Sequence, residues 1–321
     1  MKAIKTLAAA FLPALVAMSA APAALAEQPM KIVVGFAPGG TTDVIARMVA
    51  NGMAAKLGKS VIVENRPGAS GNIAAQQVAS AEADGMTLLF APSSHATNAT
   101  LYSTLRFDTK ADFSAVGMVA ATPYVLVVNP SLPVKTVPEL ISHLKANPGK
   151  LAYASASPGT GQHLAAELFK KSTGTDILHV PYKGSAAALP DVMSGLTPIM
   201  FDNIAVILPH IRTGAVRAVG VTTPKRSPLL PDLPTISESG VKDFDVSGWF
   251  ALLAPSKTDA ATISRLNQAL NQTLQDPAVV KKLGDMGGEI IPSTPKEADA
   301  FIGREIVKWR GVIDSAKINI N

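Results

Sequence analysis

Along most of the chain, short apolar runs alternate with stretches of helical spacing, which predicts α/β layers built on largely parallel sheets. Residues 31–36 read as a buried strand broken by Pro38-Gly39-Gly40. The following stretch, 43–57, carries Val44, Ala46, Met48, Val49 and Met53 at helical intervals. A strand over 61–64, a helix over 72–81 and a strand over 87–91 continue the pattern. Residues 118–129 form a long β-rich run interrupted by Pro123. Proline cannot donate to a sheet ladder, so it marks a change of sheet better than a mid-strand position.

The strand–loop–helix pattern then restarts, with a strand at 151–155, a loop at 157–161 and a helix at 162–171. A strand at 177–181, a helix at 184–194 and short strands at 199–201 and 217–222 follow. The segment 225–240, with Pro224, Pro228, Pro231 and Pro234 in and beside it, reads as loop. A second long β run, 246–253, carries the chain back, and amphipathic helix is expected over 258–283 and 296–313. Two long runs around a middle section predict a discontinuous first lobe, residues 27–124 and 249–321, with 125–248 as the second.

The N-terminus fixes the expected compartment. Lys2 and Lys5 precede an apolar run over 7–16, and Ala24-Leu25-Ala26 supplies a cleavage site, so residues 1–26 read as a secretory signal peptide. Pro13 and Pro22 interrupt a stretch already short for a membrane anchor. Removing it leaves 295 of the 321 residues and lowers the net charge from +5 to +3, because Lys2 and Lys5 leave with it. With no cysteine, the chain has neither disulfides nor a lipid-anchoring thiol nor thiolate metal sites. No other stretch is long and apolar enough to span a bilayer, so a soluble periplasmic monomer is expected. The basic residues are scattered, without the arginine clusters and interleaved aromatics of a nucleic-acid surface.

Two loops carry the candidate chemistry. Phe36-Ala37-Pro38-Gly39-Gly40-Thr41-Thr42-Asp43 and Ser155-Ala156-Ser157-Pro158-Gly159-Thr160-Gly161-Gln162-His163 each follow a strand and open a helix. Glycine lets the backbone approach a ligand closely. The first N–H groups of a helix lack internal partners and sit at its positive end, so a carboxylate there gains several hydrogen bonds without a lysine or arginine. Each loop alone is also a good turn and cap. Two in matching positions at strand carboxyl ends point to a cleft. Asp43 suits the first turn of a helix whether or not it meets ligand, and a buried Asp202 requires a partner, a ligand ammonium being one candidate.

Enzyme signatures are missing. The five histidines (His95, His143, His163, His179, His210) make no H-E-x-x-H, Gly68-Ala69-Ser70-Gly71 falls one residue short of a nucleophile elbow, and neither a phosphate loop nor a dinucleotide fingerprint occurs. No metal or cofactor is expected. A hydrolase drawing serine and histidine from different loops stays open as an alternative.

Several segments, in order, resemble the substrate-binding proteins of the tripartite tricarboxylate transporter system, the Bug family of periplasmic receptors. They are Phe36 to Gly40 with Asp43 and Ala46-Arg47; Val63 to Ala69 with Gly71-Asn72; Tyr153 to Ser155 through His163 to Ala165; Val180 to Gly184; and Phe201-Asp202. The resemblance implies a two-lobed periplasmic binding protein fold, type II-like, each lobe a mixed β-sheet flanked by helices and the two joined by crossover strands. It further implies an organic-acid ligand gripped by the loops 36–43 and 155–163. Ser93, Ser94 and Asn98 would form the floor, and Tyr182, Gly184 and Asp202 the opposite wall. The implied partners are membrane permease subunits, with a sensor kinase as the alternative output. Citrate, other di- and tricarboxylates, acidic amino acids and aromatic acids all suit this frame.

Overall fold

The computed structural model describes residues 28–316 and Ile318, so the expected signal peptide lies outside the described residues. The chain runs through β1 (Met30–Val34), α1 (Thr41–Leu57), β2 (Val61–Asn65), a 3₁₀ turn (Ala69–Gly71), α2 (Asn72–Ala79), β3 (Thr87–Pro92) and α3 (Ser94–Leu101). The 16-residue β4 (Phe113–Val128) leads to α4 (Val137–Ala146), β5 (Ala152–Ser155), α5 (Gly161–Thr173), β6 (Leu178–Pro181), α6 (Ser185–Ser194), β7 (Ile199–Asn203), α7 (Ile204–Arg212) and β8 (Arg217–Val221). After the proline-rich loop come β9 (Ser247–Pro255), α8 (Ala260–Leu274), α9 (Pro277–Asp285), β10 (Glu289–Ile290) and α10 (Pro295–Ala316).

The strands line up as β2-β1-β3-β9-β4-β7-β5-β6, with β8 and β10 also pairing β4. β1 lies parallel to β2 and β3, and β5 parallel to β6 and β7, as strand–helix–strand units require. Both strands beside β4 on the main path, β9 and β7, run antiparallel to it, and β3 is antiparallel to β9. The sheet is therefore mixed rather than largely parallel: β9 brings the chain back against the direction of its neighbours.

β4 serves both halves of the sheet. It faces β9 as far as Pro123, opposite Ser247, and faces β7 from Tyr124, opposite Asn203. The changeover falls at the proline. Beside it, the Val246 N–H donates to the Thr222 carbonyl, and the Thr222 hydroxyl donates to the Val246 carbonyl at 2.6 Å and accepts from the Tyr124 N–H at 3.1 Å. One buried threonine thus ties the two chain crossings together.

Apolar residues fill both faces. Ile32, Val33 and Val34 of β1 are wholly buried, and α1 covers the sheet with Ile45, Ala46, Val49 and Met53. The closing α10 packs along α3, β4 and α5, so it touches elements of both halves. Trp249 of β9 and Trp309 of α10 are buried, and both indole N–H groups donate to Glu305 Oε2 at 3.0 Å. The helix expected over 258–283 is broken. Pro277 has no N–H to continue α8, and Asp276 restarts the chain by accepting from the Ala278 N–H at 2.8 Å. No helix among the described residues is long and apolar enough to cross a membrane.

Candidate functional site

The first loop leaves β1 at Gly35, where a Cβ would lie 2.4 Å from the Gly71 Cα, so only glycine lets the 3₁₀ turn come this close. Phe36, Thr41 and Thr42 are half-buried, and Ala37, Gly39 and Gly40 are exposed. Gly39 holds a φ of +83°, and its N–H donates to Asp43 Oδ2 at 2.9 Å. Arg47 Nε donates to the same oxygen at 3.0 Å, and Asn65 Nδ2 donates to Asp43 Oδ1 at 2.8 Å and to the Phe36 carbonyl at 3.0 Å. Burial pushes the Asp43 carboxyl up, but Arg47, Gly39 and Asn65 outweigh it and hold the group below its ordinary value. Both of its oxygens are committed within the protein, where they shape the loop. Among the described residues no side chain caps the start of α1.

The second loop repeats this geometry with different chemistry. Gly159 has φ +77°, and Thr160, at φ −74° and ψ 160°, matches Gly40 at −75° and 166°. The Gly159 N–H donates to His163 Nδ1 at 3.0 Å, again four residues on. His163 is buried and stacks on His179, the ring centroids 4.1 Å apart. Burial, His179 and Lys170 together push the His163 pKa down to about 3, so the ring is neutral and its Nδ1 is free to accept. Ser155 Oγ meets His179 Nε2 at 2.7 Å and also donates to the Ser157 carbonyl. Thr160 Oγ1 donates to that same carbonyl at 2.7 Å, so here too no side chain caps the helix, α5.

The 3₁₀ turn Ala69–Gly71 borders both loops. On one side Gly71 meets Gly35 and Phe36; on the other Ser70 Oγ donates to the Pro158 carbonyl at 3.0 Å. Thr97 Oγ1 donates to the Gly159 carbonyl at 2.9 Å. A Cβ on Gly159 would lie 2.8 Å from Leu101 Cδ1. Ser94 Oγ and Asn98 Nδ2 each donate to the Ser70 carbonyl at 3.1 Å. The buried Ser93 is hydrogen-bonded to the Tyr124 hydroxyl, whose ring fits between Gly161 and Gly248 because neither has a Cβ to collide with it. Ser93, Ser94 and Asn98 therefore gather at the seam where α3 meets the second loop.

Beyond that loop, the backbone N–H groups of Tyr182 and Gly184 donate to the carbonyls of Ser155 and Ala156 at 2.9 and 2.7 Å. Gly184, at φ +108°, has open space where a Cβ would stand, and it precedes the uncapped start of α6. The Tyr182 hydroxyl donates to Asp191 Oδ2 at 2.7 Å and is thereby committed within the fold. Asp202 is fully buried at the end of β7. Its Oδ1 accepts from Ser185 Oγ and the Asn203 N–H, both at 2.8 Å, and from Gln162 Nε2 at 3.3 Å. Its Oδ2 has no partner among the described residues. Burial pushes this carboxyl up to about 6, against the pull of those three donors.

Thr97 and Tyr124 carry no motif in the sequence, and Ser70 stands there only in the incomplete nucleophile motif. The glycines at 68 and 71 were the available signal for the turn that holds it. Among the described residues no cluster of His, Asp and Glu is set to hold a metal ion.

Residues 45–318 match the family described as tripartite tricarboxylate transporter family receptor. The protein BugT of Bordetella pertussis is 39% identical over 288 residues, covering 89% of this chain and 88% of that relative. The structure of R. palustris Rpa4515 with adipate is 38% identical, with a TM-score of 0.85 over 91% of this chain and 98% of that one. The periplasmic binding protein BugD is 32% identical, with a TM-score of 0.83 over 91% of this chain and 99% of that one. With its mixed sheet flanked by helices in two halves on the periplasmic binding protein fold, the chain belongs to the tripartite tricarboxylate transporter receptor family.

Proposed function

We propose that this chain is an exported receptor that closes two lobes around a small organic carboxylate and delivers it, unchanged, to membrane permease subunits. One observation carries the reading. Two uncapped helix starts, each led by a left-handed glycine and matched in backbone angles, border the same 3₁₀ turn. Bare N–H groups at the positive ends of two helices suit an anion, and no cationic side chain has to be desolvated to hold it. The adipate named with Rpa4515, 38% identical, is a carboxylate of this class.

The lobes would be residues 27–124 with 249–321, and residues 125–248, turning about the paired crossings at Pro123 and Val246. Ligand contacts to both sides would favour the closed arrangement by population shift. The family's place in the periplasm suits the signal sequence expected at residues 1–26.

The serine–histidine pair a hydrolase would need does occur, as Ser155 and His179 at 2.7 Å. Ser155 is fully buried and also bonded to the Ser157 carbonyl, so its hydroxyl braces the loop instead of meeting a substrate. The test is calorimetry of the mature chain against an organic-acid library, with product analysis after incubation and solute uptake in a deletion strain. Binding without turnover, and uptake lost on deletion, is the expected result. Turnover, or no carboxylate bound at all, would overturn the reading.

A further inference from the structure

Asp43 and Asp202 are the buried carboxylates among the described residues, and they are satisfied very differently. Asp43 has donors on both oxygens, one of them the Arg47 guanidinium. Asp202 crowds three uncharged donors onto Oδ1 and, among the described residues, has none on Oδ2. A buried carboxylate oxygen without a donor loses its hydration with nothing in return. Among the described residues Oδ2 is one of six buried side-chain atoms without a partner and, of those six, the one carboxylate oxygen, so it is the atom that a donor from outside the chain would satisfy most.

The setting of Asp202 indicates where that donor would come from. The groups that hold Oδ1 are Gln162 at the start of α5, Ser185 at the start of α6 and the Asn203 N–H at the end of β7. The first two stand at the uncapped helix starts that follow Thr160 and Gly184. Next to Asp202 in the fold, Tyr124 lies on the strand paired with β7 and reaches Ser93 across the seam. Asp202 therefore stands where the second loop, the Gly184 turn and the seam converge. A ligand carboxylate cannot be the missing partner of an ionised Asp202, because like charges at contact distance repel.

We propose that Asp202 is a specificity-determining residue: Oδ2 accepts a hydrogen bond from a hydroxyl or ammonium group on the ligand. The receptor therefore favours hydroxy- or amino-substituted carboxylates over the unsubstituted acids of the same length. This inference rests on the receptor reading above and adds the part of the ligand that the helix starts do not distinguish.

The test is calorimetry on the mature chain at neutral pH, with matched sets: succinate, malate and aspartate; glutarate, 2-hydroxyglutarate and glutamate; adipate and 2-aminoadipate. A hydrogen bond to a charged group is worth about 1.5–3 kcal/mol, so a substituted acid in at least one set binds about 10- to 100-fold tighter than its unsubstituted partner. Asp202→Asn places an amide donor at Oδ2 while keeping the acceptor at Oδ1. It collapses that ratio by weakening the substituted acid about 10- to 100-fold more than its unsubstituted partner. Equal or tighter binding of the unsubstituted acids by the native chain would overturn the proposal and leave the receptor reading intact. So would an equal loss for both members of a pair in Asp202→Asn. If no acid in any set binds, the proposal falls, and the organic-acid library decides the receptor reading by itself. Should Asp202→Asn not fold, as judged by circular dichroism, the native ratios alone decide.

Discussion

The two glycine loops share a backbone and differ in what holds it. In the first, the Gly39 N–H is fixed by a carboxylate that is in turn held by Arg47 and Asn65. In the second, the Gly159 N–H is fixed by a neutral imidazole stacked on another. The first loop projects into open space at Gly39, whereas the second is wedged against Leu101 and bonded by Ser70 and Thr97. The shared requirement is therefore an acceptor four residues after a left-handed glycine, and either a charge network or a stack of rings can provide it. The difference shows in how each loop should fail.

The largest contrast is expected from placing valine at each glycine. Gly159→Val combines a left-handed backbone with a collision at Leu101 Cδ1, and should cost about 2–5 kcal/mol in urea unfolding as well as all carboxylate binding. Gly39→Val meets no neighbour among the described residues, so it should cost only about 1–2 kcal/mol while still abolishing binding. Equal destabilisation by the two would break the comparison. Next, Asp43→Ala strands the Gly39 N–H and removes the partner of Arg47. A loss of about 2–4 kcal/mol is expected, with binding weakened in calorimetry.

Acid should separate the loops further. His163 is held neutral, its pKa pushed from an ordinary 6.5 to about 3, so its contribution to stability is full above pH 6.5 and is lost as pH falls toward 3. Asp43 is lowered from 3.8, so its contribution fades only below that value. The second loop should accordingly weaken first on acidification. Asp202 acts in the opposite sense. Raised from 3.8 to about 6, it stabilises the fold fully below pH 3.8, and that contribution is lost as pH rises through 6. Asp202→Asn should therefore steepen the loss of stability between pH 6 and 4, measured by urea unfolding across pH. An unchanged slope would show that Asp202 does not titrate there. The smallest effect belongs to Thr97→Ala, which removes one hydrogen bond to the Gly159 carbonyl and should cost about 1 kcal/mol in the same assay.

Much of this plan was legible in the sequence because it depends on local chemistry. Pro-Gly after a strand and before helical spacing marked both loops, and Pro123 marked the changeover of the sheet. What escaped depends on contacts between distant segments. α3, with the sequence SHATNATL, buries Ser94, His95, Thr97 and Asn98 and so shows no apolar period. α4 did carry a readable start, since Thr136 accepts from the Glu139 N–H and the Glu139 carboxylate accepts from the Lys135 N–H, but its apolar face is short. The role of Asp43 could not be read from its place in the first turn, because it depends on Asn65, which arrives 22 residues later on the neighbouring strand.

The shared acceptor of Trp249 and Trp309 also determines how the C-terminal segment can be seated. A shift of α10 by one turn, about 5.4 Å, would carry Glu305 out of reach of the Trp249 indole and move Trp309 from its pocket. The helix therefore has a single docking register on the returning strand. A chain shortened to end before Glu305 would leave the Trp249 N–H buried with no acceptor and the apolar floor beneath it bare to solvent.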